Sequence, residues 1–198
     1  GHKEGLNGVD NGRLAFRGVR VPRENLLDRY GTVAPDGTYS SSIASENRRF
    51  FTMLGALVRG RVSVSGSAVG AASLAQTIAV RYGEARRQFA APGSDAGASG
   101  ATGKGEEIVV LDYLAHQRKL LPGLARTYAL RFAQNELVEM LHDVQTTREA
   151  GGEIDERRQR ELESRAAGTK AMTTWHATAT IQTCREACGG QGYLSENR

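Results

Sequence analysis

Cysteine, proline and lysine are all scarce in this chain of 198 residues, and each shortage excludes something. Two cysteines, Cys184 and Cys188, cannot make a disulfide scaffold; four apart, they would share one face of a helix. The four histidines, His2, His116, His142 and His176, are scattered, and neither HExxH nor a paired CxxC occurs, so a metal site has little support. With only four prolines, long stretches are free to be helical. No window approaches the roughly 18 uninterrupted apolar residues of a membrane span, and no basic-then-apolar signal segment opens the chain. The reading is a soluble intracellular protein with no membrane partner.

Charge of one sign is also lacking. Lys and Arg number 26 against 22 acidic residues, a net charge of +4 spread along the chain, which argues against nucleic acid as a partner. Arginine supplies 22 of the 26, and with abundant Ala and Gly this suits a GC-rich coding genome and a bacterial cytoplasm. The chain opens on Gly1 rather than methionine and closes on the polar Ser195 to Arg198, as an internal piece of a longer protein would.

What is present is mostly helical pattern. Residues 6–28 read as short strand and loop, with Leu14, Phe16, Val19 and Val21 among turn residues, closed by Pro22. Pro35-Asp36-Gly37 marks a turn in a connector over 30–45. From about Arg48 to Phe89, apolar or small residues recur every three or four positions, which predicts one long helix. Gly55, Gly60, Gly66 and Gly70 each cost about 1 kcal/mol relative to alanine there, as positions where a neighbouring backbone or a ligand comes close would. Close packing alone explains them equally well. Residues 90–105, rich in Gly, Ala and Ser without a period, read as a flexible loop that tolerates changes of length. A second helix follows, with Val110, Tyr113, Leu114, Gln117, Leu121, Leu124, Tyr128 and Phe132 on one face, a kink at Pro122, and a pattern that runs on through Leu137, Met140, Leu141 and Val144. Gly151-Gly152 stops it, and Asp155 caps a third helix that runs to about Cys188. The fold class is mainly α: an up-and-down bundle of long helices preceded by a short β tail.

Two stretches could carry chemistry. Tyr82 to Phe89 ends the first long helix with Arg86-Arg87-Gln88-Phe89, planar donors for phosphate beside an aromatic ring. A solvated basic helix end fits as well. Cys188-Gly189-Gly190-Gln191-Gly192-Tyr193 ends the third helix, and its glycines let backbone amides approach an anion, although a plain glycine C-cap is the commoner use.

In order along the chain, these blocks resemble the acyl-CoA oxidases of the acyl-CoA dehydrogenase superfamily. The resemblance rests on Gly8-Val9-Asp10-Asn11-Gly12, Val21-Pro22-Arg23-Glu24-Asn25-Leu26-Leu27, Asp36-Gly37-Thr38-Tyr39, Ile78-Ala79-Val80-Arg81-Tyr82 with Arg86-Arg87-Gln88-Phe89, Leu111-Asp112-Tyr113, Lys119-Leu120-Leu121-Pro122, Thr173-Thr174-Trp175 and Cys184 to Gly190. It implies an FAD enzyme that oxidises acyl-CoA to trans-2-enoyl-CoA and passes the electrons to molecular oxygen as hydrogen peroxide, working as a homodimer through its helical domain. Residues 1–40 would be the end of the β middle domain with a connector, and 41–198 the first C-terminal helical domain, truncated. Arg86 matches the arginine that reaches the FAD pyrophosphate, Gln88 and Phe89 the two positions beside it at the flavin, and Gly189 and Gly190 the glycine pair along the FAD phosphates and adenosine. Arg61 is similar to an arginine near the acyl-CoA. Gln191, Ala90 and Glu186 depart from the histidine, glycine and glutamine common in relatives. No catalytic residue is assigned, because the family's glutamate base falls beyond Arg198, and this piece alone is expected to be inactive. A dehydrogenase that hands electrons to a flavoprotein carrier and a non-catalytic scaffold of the same fold remain as alternatives. A eukaryotic parent would place the enzyme in the peroxisome.

Overall fold

The computed structural model describes residues 3, 5–9, 11–90 and 107–197. The chain divides into two compact units, residues 1–53 and 54–198, each described by itself.

In the first unit, Pro35-Asp36-Gly37 makes the turn its residues predict. Gly37, at φ +88°, closes a tight hairpin between β1 (Thr32–Val33) and β2 (Tyr39–Ser40), antiparallel with Val33 opposite Tyr39. The Asp36 carboxylate accepts from the Thr38 amide at 2.9 Å, which holds its pKa below the ordinary value. Over 6–28 the predicted strand is absent among the described residues: only a 3-10 turn forms, at Arg23–Asn25, and Leu14, Phe16, Val19 and Val21 stay exposed. A strand with nothing to pair with leaves its backbone groups unsatisfied and does not persist.

The predicted long helix is two. α1 spans Glu46–Leu54 and α2 spans Leu57–Ala85, interrupted at Gly55-Ala56. α2 also stops short of Phe89: Arg86 turns to an extended conformation, φ −76° and ψ 125°, and Arg87–Ala90 forms β3. β3 pairs antiparallel with β4 (Glu107–Val109), and the Arg86 carbonyl accepts from the Val110 amide at 2.8 Å. The loop predicted between them falls largely on residues 91–106, outside the described residues.

α3 (Leu114–Glu149) follows a 3-10 turn at Val110–Asp112 and continues through Pro122. It ends before Gly151, whose φ of +76° is left-handed backbone that suits glycine. Asp155 caps α4 (Glu156–Ala187), accepting from the Arg157 amide at 3.2 Å. The short α3–α4 connection makes the two helices antiparallel neighbours, crossed by ion pairs Arg158–Asp143 at 2.8 Å and Arg165–Glu136 at 2.6 Å.

The core explains the helical spacing. α2 buries Val58, Val62, Ser65, Val69, Ala72, Gln76, Ala79 and Gly83, one stripe at steps of three and four, and packs along α4 with α3 closing against both. At one end Val58, Val62, Leu137, Val144, Leu162 and Ala166 cluster; at the other, Ala79, Leu120, Cys184 and Cys188. Between them lies a polar layer of Ser65, Thr127, Gln134, Thr173 and Thr180. Ser65 and Thr173 bond back to carbonyls of their own helices, and Gln134 reaches α2 to donate to the Val62 carbonyl at 2.9 Å. Gly66 leaves room for that amide, since a Cβ there would lie 3.3 Å from its nitrogen; a Cβ on Gly60 or Gly70 would meet nothing within 4 Å among the described residues, so no backbone of this chain comes close there. The stretch 46–85 is long and apolar enough to cross a membrane by length and composition, and 33% of its apolar window is buried, along the stripe of α2. On α3 the buried stripe is Leu120, Thr127, Gln134, Leu137 and Val144, whereas Leu121, Tyr128 and Phe132 of the predicted face are exposed.

Candidate functional site

One end of the bundle gathers the C-terminus of α2, the N-terminus of α3 and the C-terminus of α4. A cavity of about 620 Å³ opens there, and Arg86, Gln88, Phe89, Gly189 and Gly190 all line it, with Lys119 and Glu186. Segments 100 residues apart in sequence therefore meet at one place.

Each wall has a local cause. Arg86 caps α2, its amide donating to the Tyr82 carbonyl at 2.8 Å, and the turn out of the helix leaves its side chain exposed. β3 brings Gln88 and Phe89 to the cavity wall. Pairing with β4 is irregular between Arg87 and Ala90, and Phe89 sits within that irregularity at φ +64°. A phenylalanine in left-handed backbone costs roughly 1–2 kcal/mol, offset by the pairing on both sides, and the ring is left 67% exposed. Tyr113, the N-cap of α3, donates its hydroxyl to the Gln88 carbonyl at 3.0 Å.

On the third wall, α4 ends at Cys188 and Gly189 takes φ +56°, the left-handed C-terminal position. The chain then tightens into a 3-10 turn, Gly189–Tyr193. A Cβ on Gly192 would run into the backbone carbonyl of Arg185, whereas one on Gly190 meets nothing within 4 Å. Gly192 is required by packing, and Gly190 leaves its backbone bare toward the cavity.

The electrostatics are mixed. The Lys119 ammonium donates to the Glu186 carboxylate at 2.7 Å, which lowers the glutamate's pKa, helped by a bond from Gln182. His116, beside Lys119, has its pKa lowered by burial and then by that ammonium. Cys188 is buried and its thiol is pushed up by burial, so it offers no nucleophile. Among the described residues no group of His, Cys, Asp and Glu could hold a metal.

The five residues singled out by sequence thus lie around one cavity, and Arg61 does not join them. It is exposed near the N-terminus of α2, 25 residues before Arg86 and about 37 Å away along the helix. The sequence reading missed Tyr113 as a tether, His116 and Lys119. The signal for Lys119 was its rarity, one of four lysines in an arginine-rich chain.

The donor set suits a diphosphate joined to flat rings: a guanidinium, an ammonium, a bare glycine backbone and an exposed phenyl face. Comparison with known proteins identifies the family. The acyl-CoA oxidase C-alpha1 domain family matches residues 54–198. The whole chain is 44% identical to peroxisomal acyl-coenzyme A oxidase 2 of Arabidopsis thaliana and 42% identical to human peroxisomal acyl-coenzyme A oxidase 3, covering 26% and 27% of them. Among solved structures it is similar to acyl-CoA oxidase 1 of Yarrowia lipolytica, with a TM-score of 0.72 and 33% identity over 90% of this chain and 25% of that one. Acyl-CoA oxidase-1 of Caenorhabditis elegans, solved with FAD and ATP, gives a TM-score of 0.70 and 30% identity over 90% of this chain and 23% of that one. The chain spans about a quarter of the length of these relatives. It belongs to the acyl-CoA oxidase family, and residues 54–198 are its C-alpha1 domain.

Proposed function

We propose that this chain is a segment of a longer FAD-dependent acyl-CoA oxidase, which converts acyl-CoA to trans-2-enoyl-CoA in fatty acid β-oxidation and reduces molecular oxygen to hydrogen peroxide. The observation that carries the reading is the convergence of Arg86, Gln88, Phe89, Gly189 and Gly190 on one cavity.

In this reading the cavity holds the FAD diphosphate. Arg86 donates to its oxygens, the backbone at Gly189 and Gly190 lies along it, and Gln88 and Phe89 stand beside the rings. When bound, the flavin supplies the acceptor for the hydride that leaves the substrate β-carbon. The domain's part is to hold and orient that group and to keep bulk water from it. The base that takes the α-proton belongs to chain beyond Arg198, Arg61 serves the acyl-CoA side, and residues 1–40 end the β domain. The parent works as a homodimer through the helical domain. The names of the curated relatives support a peroxisome and lend nothing to a bacterial cytoplasm.

The test is to express the intact protein, record its visible spectrum and add a long-chain acyl-CoA. A yellow protein that bleaches and releases peroxide supports the oxidase; bleaching without peroxide makes it a dehydrogenase, and a colourless protein that takes up no FAD makes it a scaffold. Arg86→Ala should weaken FAD binding by about 1.5–3 kcal/mol, the worth of a charge-assisted contact. Unchanged affinity would remove Arg86 from the site.

A further inference from the structure

Two cations and one carboxylate face the cavity, and the reading above uses only Arg86. Lys119 stands in the second turn of α3, and Glu186 in the last turn of α4. Glu186 Oε2 accepts from Lys119 Nζ at 2.7 Å while its Oε1 accepts from Gln182 Nε2 at 2.9 Å. Both carboxylate oxygens are therefore engaged, one from the glutamate's own helix and one from α3. Both side chains are about half exposed, at 45% and 47%.

An ion pair this exposed adds little to stability, because solvent screens it and two long side chains lose rotamer freedom. The same fixing of a mobile ammonium is useful where an anion is to be met, since the entropy is lost before the ligand arrives. A dinucleotide diphosphate carries two negative charges; Arg86 and Lys119 each supply one positive charge and Glu186 takes one back, so the three leave the cavity wall net positive toward an anion. Glu186 offsets Lys119 before the ligand enters, so the two cations do not raise each other's cost across the cavity. A lysine suits the place because its ammonium is a compact charge with three donors, able to keep Glu186 and take a phosphate oxygen as well.

We propose that Lys119 is a second cation for the FAD diphosphate and that Glu186 is a positioning residue that holds its ammonium at the cavity wall. This rests on the reading of the cavity as the cofactor site, and the test separates the two.

The flavin is removed from the intact enzyme and FAD is titrated back, followed by quenching of flavin fluorescence at several salt concentrations. Lys119→Met should raise the FAD Kd by roughly ten- to a hundredfold and flatten its dependence on salt, and Lys119→Arg should recover most of the loss. ADP, which carries a diphosphate but no flavin, should lose potency as a competitor by a similar factor. Glu186→Ala should weaken binding less than Lys119→Met, and the double variant should bind no worse than Lys119→Met alone, since Glu186 acts through the lysine. Wild-type Kd and salt slope in Lys119→Met, with Arg86→Ala weakened, would overturn the proposal and leave the cofactor site standing. A loss in Lys119→Arg as large as in Lys119→Met would also overturn it, as a structural role would then be at work. Wild-type Kd in both Arg86→Ala and Lys119→Met would overturn the cofactor site itself.

Discussion

The Tyr113 hydroxyl donates to the Gln88 carbonyl at 3.0 Å, so the residue that caps α3 also pins the strand that carries Phe89. Tyr113→Phe keeps the ring and removes only that bond. Stability should fall by about 0.5–1.5 kcal/mol, and FAD binding by the intact enzyme should weaken several-fold as Phe89 loses its fixed place. Denaturant unfolding and flavin titration read the two effects. A stability loss without any change in flavin affinity would separate the tether from the site.

The glycines after α4 should not behave alike. In Gly192→Ala the new methyl has the Arg185 carbonyl in its way, which is backbone and cannot swing aside, so a loss of roughly 1–3 kcal/mol is expected. Gly190→Ala meets open space, and its thermal midpoint should stay near that of the parent. Equal losses in both would mean that the turn after Cys188 is not set by this close approach.

Burial raises both thiols of the α4 terminus, Cys184 to about 11 from an ordinary value of 9.0. The folded state keeps the proton more firmly than the unfolded chain. Stability from this source is therefore full below about pH 9 and is lost as pH rises towards 11. Iodoacetamide at pH 8 should leave both thiols unmodified in the native protein and label them after unfolding. Native labelling would show that this end of the bundle opens.

His176 sits between α3 and α4 and behaves in the opposite sense. The Thr127 hydroxyl donates to the Gly123 carbonyl at 2.9 Å, so its lone pair is left to accept from His176 Nε2 at 2.7 Å. Burial, and then the charge of Arg126, lower the histidine's pKa below 6.5. The folded state binds fewer protons than the unfolded chain there. Stability is present above about pH 6.5 and falls as the solution is acidified. Thr127→Val should cost about 1 kcal/mol, since it removes the shorter contact and leaves Nε2 only the Thr180 hydroxyl at 3.3 Å. His176→Gln should flatten the decline between pH 7 and 5, and an unchanged slope would assign the acid sensitivity elsewhere.

The helices were legible because three- and four-residue spacing and caps are local. Asp155, Gly151 and Gly189 mark boundaries by the chemistry of their own backbones. The end of α2 was not legible, because Arg86 leaves the helix to pair with Val110, a partner 24 residues on. Polarity also misled the reading of α3: Thr127 is buried with its hydroxyl bonded inside and Gln134 with its amide nitrogen donating to the Val62 carbonyl, so the true stripe lies beside the more greasy Leu121, Tyr128 and Phe132. The cavity residues were found through resemblance, not spacing. Lys119 was overlooked because its partner Glu186 is 67 residues away.

Because Ala90 and Glu107 face each other across the small sheet, the chain departs from the hairpin and rejoins it at neighbouring positions. Those two positions are fixed neighbours, and doubling the length of a chain that joins such ends costs only about 0.6 kcal/mol of closure entropy. The junction after Ala90 is a natural graft point. A labelling peptide inserted there would ride on the same strand as Phe89, giving a handle on the cavity end of the domain that leaves its helices untouched.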